Sequence, residues 1–255
     1  MVEIKTPAEL DAMREAGRIV ARALQATVKH AAVGVRLDEL DEIAATVIDD
    51  AGATPAFLNY HPHFAPTPYP AVLCISVNDV IVHGIPDRYR LEDGDLVSVD
   101  CGAYLDGWAG DSAVSFTVGL PRPADLALID ATERALRAGI AAATPGNRMG
   151  DIGHAIAAVA QEGGYGTNID FGGHGIGRRM HEDPHVPNHG RPGRGLVLRE
   201  GLVLAIEPMF VAGGDSDYRT AADGWALHTL DGSRAAHAEH TVAITADGPR
   251  ILTTE

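Results

Sequence analysis

Apolar residues recur at helical spacing near the start of the chain, at Leu10, Met13, Ala16, Ile19, Val20 and Leu24. Thr6-Pro7-Ala8-Glu9 precedes them and supplies an N-cap, a first-turn proline and a capping-box glutamate. A second helix is predicted from Leu37 to Asp50, with Leu37, Leu40, Ile43, Ala44 and Val47 turned inward. Residues 51–70, rich in Pro, Ala, Tyr and His, suit a loop or an irregular lip. The pattern then changes to strands: Ala71–Val77, Leu96–Asp100 and, beyond a turn at Leu105-Asp106-Gly107-Trp108, Ala113–Val118. Helical periodicity returns over Pro123–Ala143 and Met149–Glu162. Strands follow at Leu202–Ile206, Trp225–Thr229 and His240–Ile244.

Helix, helix, strands thus occurs twice. The order predicts an α+β fold of two similar halves sharing one antiparallel core. No linker, charge block or low-complexity tract divides the chain, so residues 1–255 are expected to form a single catalytic domain that starts directly at its first helix. Gly172-Gly173-His174-Gly175-Ile176-Gly177 is glycine-rich, but its spacing is not that of a dinucleotide loop and no strong helix follows.

Composition narrows the function. Hydrophobic residues make up 45% and charged residues 22% of the chain, as in soluble globular proteins. No apolar run approaches the roughly 18 residues that cross a bilayer. The polar N-terminus lacks a basic-then-apolar leader, so a cytoplasmic protein with no membrane partner is expected. A net charge of −15 disfavours nucleic acid as a direct substrate. Cys74 and Cys101 are too few for a disulfide framework and read as small strand residues.

The chemistry-bearing residues are weak signals singly. Asp100 ends the strand LVSVD, and Asp111 lies eleven residues further, across a hairpin, where it can return to the same sheet face. Either alone reads equally as a turn or cap residue, as Asp106 beside Gly107 does. Glu207 closes an apolar strand before Pro208, which has no N–H to offer its charge. Glu239 stands at a strand edge, and His174 is flanked by glycines. Taken together, four carboxylates and one imidazole form an O/N donor set suited to Mn²⁺, Fe²⁺, Co²⁺ or Zn²⁺. Bridging carboxylates can hold two such ions about 3.5–4 Å apart, and the ions relieve the carboxylates' repulsion.

Five stretches in register then make a specific resemblance: Ser76–Pro86 with its His83, Asp100–Asp111, Gly173-His174 through His181 to Pro184, Ile206-Glu207-Pro208-Met209, and Glu239-His240-Thr241. Over essentially its whole length the chain resembles the bacterial type I methionine aminopeptidases of the pita-bread metallopeptidase superfamily. The resemblance implies two pseudo-symmetric halves around a curved antiparallel sheet with helices on its outer face. It implies two divalent metal ions: Asp111 and Glu239 bridging, Asp100 completing one site, His174 with Glu207 completing the other. His83 would lie over the scissile bond, His181 would polarise the peptide carbonyl, and Glu207 would also accept a proton. Tyr60, Cys74 and Trp225 match the methionine pocket, with Phe64 in the irregular segment His61–Pro66 adding to it.

The implied activity is hydrolytic removal of the initiator methionine from nascent chains or peptides with a small second residue, by a monomer. Transient ribosome association would be independent of any N-terminal extension. Met180 stands where relatives often carry an aromatic residue, which leaves the pocket rim open. Two other functions compete: a proline-directed peptidase of the same superfamily, and a non-catalytic binding protein on the same fold. The first usually carries an extra N-terminal domain, and the second usually lacks the complete donor set.

Overall fold

The computed structural model describes residues 2–63 and 65–255, so Phe64 lies outside the described residues. Two helices open the chain, α1 (Pro7–His30) and α2 (Leu37–Asp50). The predicted capping box sets the start of α1: Thr6 accepts from the Glu9 N–H, and the Thr6 N–H donates to the Glu9 carboxylate at 2.8 Å. Strands β1 (Thr54–Pro55), β2 (Leu73–Val77), β3 (Val80–Val82), β4 (Leu96–Leu105) and β5 (Trp108–Thr117) follow.

The second half begins again with α3 (Pro123–Ala142) and α4 (Met149–Gly163). Its strands are β6 (Gly166–Thr167), β7 (Gly172–Gly175), β8 (Glu182–Pro187), β9 (Val203–Ile206) and β10 (Met209–Val211), then β11 (Tyr218–Thr220), β12 (Leu227–Thr229), β13 (Ala235–His237), β14 (Glu239–Thr245) and β15 (Gly248–Ile251). Nine strands form one antiparallel sheet in the order β1-β4-β5-β14-β9-β7-β8, with β2 added to β4 and β15 to β14. Two three-stranded sheets complete the fold: β13-β10-β6 within the second half, and β11-β12-β3, in which β3 comes from the first.

The predicted strands differ in their bounds: that expected over Ala113–Val118 runs from Trp108 to Thr117, and those expected over Leu202–Ile206 and His240–Ile244 run over Val203–Ile206 and Glu239–Thr245. Asp100 does not end a strand but lies in the middle of ten-residue β4. The strand after the irregular segment begins at Leu73, not Ala71, because the Val72 and Leu73 N–H groups bond Asp41. The strand expected from Trp225 begins at Leu227, since the Trp225 and Ala226 N–H groups are held by the Asp223 carboxylate.

Apolar faces bury each helix pair. Leu24, Leu40 and Ile48 of α1 and α2 pack with Leu73, Val97 and Val99. Leu128, Leu136, Ile152 and Ile156 of α3 and α4 pack with Leu204, Ile206 and Val242. The opposite face of the central strands is left to the polar residues described next. Among the described residues, no helix is long and apolar enough to cross a membrane.

Candidate metal centre

Register alone puts the five expected donors on one face. The β4–β5 hairpin turns at Asp106-Gly107, whose φ values of 50° and 76° are those of a two-residue primed turn. Asp106 is thus the turn residue expected. The ladder then pairs Asp100 with Ala113 and Gly102 with Asp111. Strand β14 sets Glu239 opposite Ala113, and its Thr241 lies opposite Ala205, which in turn faces His174. Because side chains alternate with period two, Asp100, Asp111, His174, Glu239 and Glu207, two residues beyond Ala205, share that face. Ala113 and Ala205 between them are small and leave room for the longer groups to converge.

His174 lies in β7. Its glycine neighbours serve the sheet: a Cβ at Gly173 would meet the Ala205 carbonyl oxygen at 2.0 Å, and one at Gly175 the Asp183 carbonyl oxygen at 2.1 Å. Glycine lets the backbones of β8 and β9 close on both sides of the histidine.

The donors converge closely. His174 Nε2 lies 3.7 Å from Asp111 Oδ2 and 3.6 Å from Glu207 Oε1. Ligand atoms of Asp111, His174 and Glu239 fall within 4.8 Å of one another, as do those of Glu207, His237 and Glu239. Asp100 Oδ1, Asp111 Oδ1 and Glu239 Oε1 are buried without a hydrogen-bond partner. Burial pushes Asp111 and Glu239 well above the usual carboxylate range; Asp100 adds most to the first and Asp111 to the second. Burial likewise raises Asp100 to about 7, against the opposing pull of His237. For Glu207 burial also pushes upward, but His237, His174 and His181 outweigh it and hold the acid below its ordinary value. Buried, unpartnered carboxylate oxygens at this spacing fit divalent cations and are costly without them.

His83, His181, Tyr60, Cys74 and Trp225 line the same cavity, of about 430 Å³. His83 follows β3 in a left-handed conformation, φ 61°, and burial lowers its pKa to about 4. The His181 ring stacks on Tyr60 with centroids 5.2 Å apart and lies 4.2 Å from that of His174. It keeps an exposed edge, and desolvation first and His174 second lower its pKa. Trp225 donates its indole N–H to the Thr67 carbonyl and meets Tyr69 edge-on at 5.0 Å. Cys74 sits beside them as a buried thiol whose pKa desolvation pushes well up. Met180 does not form a rim: it is 2% exposed and packs with Phe57 and Trp108 in the core.

Sequence reasoning missed Phe57, Tyr69, Phe171, Met209 and His237 in this wall. For two of them a signal was present. Met209 lies two residues after Glu207 and His237 two before Glu239, the spacing that returns a strand residue to the same face.

The sequence profile of metallopeptidase family M24 matches residues 11–246. This chain belongs to that family. It is 53% identical over 260 residues to methionine aminopeptidase 1 of Mycobacterium tuberculosis (strain CDC 1551 / Oshkosh), spanning 99% of this chain and 95% of that protein. The crystal structure of a methionine aminopeptidase from Thermotoga maritima superposes with a TM-score of 0.95 at 40% identity, covering 100% of both chains. A prolidase from Pyrococcus furiosus gives 0.78 at 24% identity over 99% of this chain but 65% of its own, a likeness of fold alone. The M24 fold is thus the expected α+β pita-bread fold, a curled antiparallel sheet with four helices. The family is one of metal-dependent hydrolases, and the unpartnered carboxylates of this chain accord with divalent ions at the centre.

Proposed function

We propose that the chain is a methionine aminopeptidase, removing the initiator methionine from nascent proteins and peptides whose second residue is small. The observation that carries this is a cavity lined both by Tyr60, Cys74 and Trp225 and by the carboxylate cluster. An aromatic wall with a thiol suits a thioether side chain. The family's relatives in Mycobacterium tuberculosis and Thermotoga maritima carry that activity in their names.

Two divalent ions would be held by Asp100, Asp111, His174, Glu207 and Glu239. Asp111 and Glu239 would be shared, Asp100 would complete one position, and His174 with Glu207 the other. Bound there, such ions, whether Mn²⁺, Fe²⁺, Co²⁺ or Zn²⁺, activate water and polarise a carbonyl. Glu207, kept ionised by its imidazole neighbours, accepts the proton of the attacking water. His83 is neutral at working pH and serves the leaving group or substrate amine through its ring N–H. His181, fixed between Tyr60 and His174, donates toward the peptide carbonyl as negative charge develops there. Residues 1–255 act as one catalytic domain, a cytoplasmic monomer that meets its substrate free or in transient contact with the ribosome.

The test is an assay of Met-Ala-Ser, Met-Leu-Ser and Ala-Pro-Ala peptides after metal reconstitution. Methionine released from the first alone supports the reading. Cleavage of the proline peptide instead overturns it.

A further inference from the structure

His237 has no place in the five-donor set, yet it stands at its centre. The side chain is 2% exposed. Strand β13 carries it beside Met209 of β10, and its backbone is clamped from the other half of the molecule. Its N–H donates to Ser115 Oγ at 3.0 Å, and that hydroxyl donates to the His237 carbonyl at 2.7 Å. The hydroxyl of Ser98 lies 2.7 Å behind Ser115 Oγ. Both serines sit in the β4–β5 hairpin that also carries Asp100 and Asp111, so His237 is held in register with those aspartates.

Its ring faces two carboxylates, that of Glu207 being the nearer. Nε2 lies 3.5 Å from Glu207 Oε2 and 3.9 Å from Glu239 Oε2, is buried, and has no hydrogen-bond partner of its own. The other oxygen of Glu207, Oε1, faces His174 Nε2 at 3.6 Å. Glu207 is therefore bracketed by two imidazoles, one at each oxygen. A glutamate's terminal torsion is broad and roughly two-fold, so nothing in the side chain itself selects which oxygen is presented. A donor on Oε2 does select, because Oε2 then turns to the donor and Oε1 stays with His174. A contraction of a few tenths of an ångström from 3.5 Å makes that hydrogen bond an ordinary one.

We infer that His237 is a positioning residue: its Nε2–H donates to Glu207 Oε2 and so presents Glu207 Oε1, together with His174, to a divalent cation. The inference rests on the metal reading of the site, and it adds a residue outside the donor set that fixes a donor's orientation. The ring does not itself ligate the ion, and the nitrogen aimed at the cluster keeps its proton in the loaded protein.

Two measurements test it. Chelator-treated protein is titrated with Mn²⁺ by calorimetry for wild type, His237→Gln and His237→Ala, with circular dichroism confirming that each is folded. Glutamine keeps a neutral N–H donor at similar reach; alanine removes it. His237→Gln is expected to bind Mn²⁺ within a few-fold of wild type, and His237→Ala roughly 10–100-fold more weakly. Wild-type affinity in His237→Ala overturns the inference, as does equal weakening in both variants, which makes the imidazole a ligand. Independently of affinity, long-range ¹H–¹⁵N spectra of the histidine rings are expected to show His237 protonated at Nε2 in metal-free and Zn²⁺-loaded protein alike. Loss of that proton on loading overturns the positioning role. A wild-type protein that binds no Mn²⁺ at all, with Nε2 still protonated, sinks the metal reading instead.

Discussion

Asp100 and Asp111 are diagonal neighbours on one face of a single hairpin: Asp100 pairs with Ala113, and Asp111 lies two residues along the same strand. The turn at Asp106-Gly107 sets that offset, since a one-residue change in its length would send one aspartate to the opposite face. Both carboxylates enter an interior shared with Glu239, opposite Ala113 on the next strand. The centre is thus built by pairing rather than by a local motif.

Crowded buried acids give the metal-free protein a defined pH dependence. Burial raises Asp100 to about 7, and burial with neighbouring carboxylates raises Asp111 and Glu239 well above their ordinary values. The folded chain therefore retains protons that the unfolded chain releases near pH 4, so stability is present at low pH and falls as pH rises from about 4 through about 7. Thermal melts in chelator are expected to have a lower midpoint at about pH 8 than at about pH 5.5, with Mn²⁺ raising the former more. Equal chelated midpoints would refute the assignment.

Replacing Asp111 by asparagine keeps the shape and removes a charge proposed above to be shared by both cation positions. Calorimetric titration is expected to show loss of tight Mn²⁺ binding, and the metal-free variant should melt no lower than metal-free wild type at neutral pH, because a buried carboxyl that is costly to ionise is gone.

His83→Ala should separate chemistry from metal binding. The ring is outside both close donor groups, so Mn²⁺ affinity is expected to hold while kcat falls by about 10²–10⁴. With a pKa of about 4, His83 is neutral well below ordinary imidazole titration, so the wild-type rate profile should lack a limb from it near neutrality. A variant that keeps wild-type kcat would remove His83 from the mechanism.

Lys5 and Glu182 form an ion pair of 2.7 Å with both side chains only 3% exposed. Glu182 follows His181 in sequence and also accepts the Arg179 N–H at 3.0 Å, so the pair ties the N-terminal arm to the loop presenting His181. Lys5→Met leaves a buried carboxylate unpaired and is expected to lower unfolding free energy by about 3–5 kcal/mol. Urea denaturation measures it, and adding Glu182→Leu should restore part of the loss.

Gly173→Ala places a methyl 2.0 Å from the Ala205 carbonyl oxygen, in the ladder that holds His174. Backbone cannot yield as a side chain does, so β7 must move off β9. Lower stability and weaker Mn²⁺ binding are expected together, read by melting and calorimetry on the same sample. Stability lost with metal affinity intact would place His174 outside the centre.

Much of the local structure was legible. Thr6 and Glu9 announced the start of α1, apolar spacing gave α2, α3 and α4, and Asp106-Gly107 marked the hairpin. These are short-range effects, settled by neighbours within a few residues. Other strands around the cavity were poorly legible: β3, β10 and β13 have three residues each, too few to show alternation. β7 was hidden by its glycines, which read as a loop until the carbonyls of Ala205 and Asp183 are seen against them.

The sequence by itself determined the kinds of donor present, their order along the chain, the helices, and the turn that pairs Asp100 with Asp111's strand. Only the tertiary structure decided which of these groups meet. Thr241 accepts the Asp111 N–H across 130 residues of chain, and ladders of this kind bring Glu207, His174 and Glu239 onto the face of the aspartates. The same packing made Met180 a core residue and gave Glu207 a second imidazole, His237. Periodicity is a property of neighbours in sequence, whereas a metal centre is a property of distances of a few ångströms between strands, which only register and burial fix.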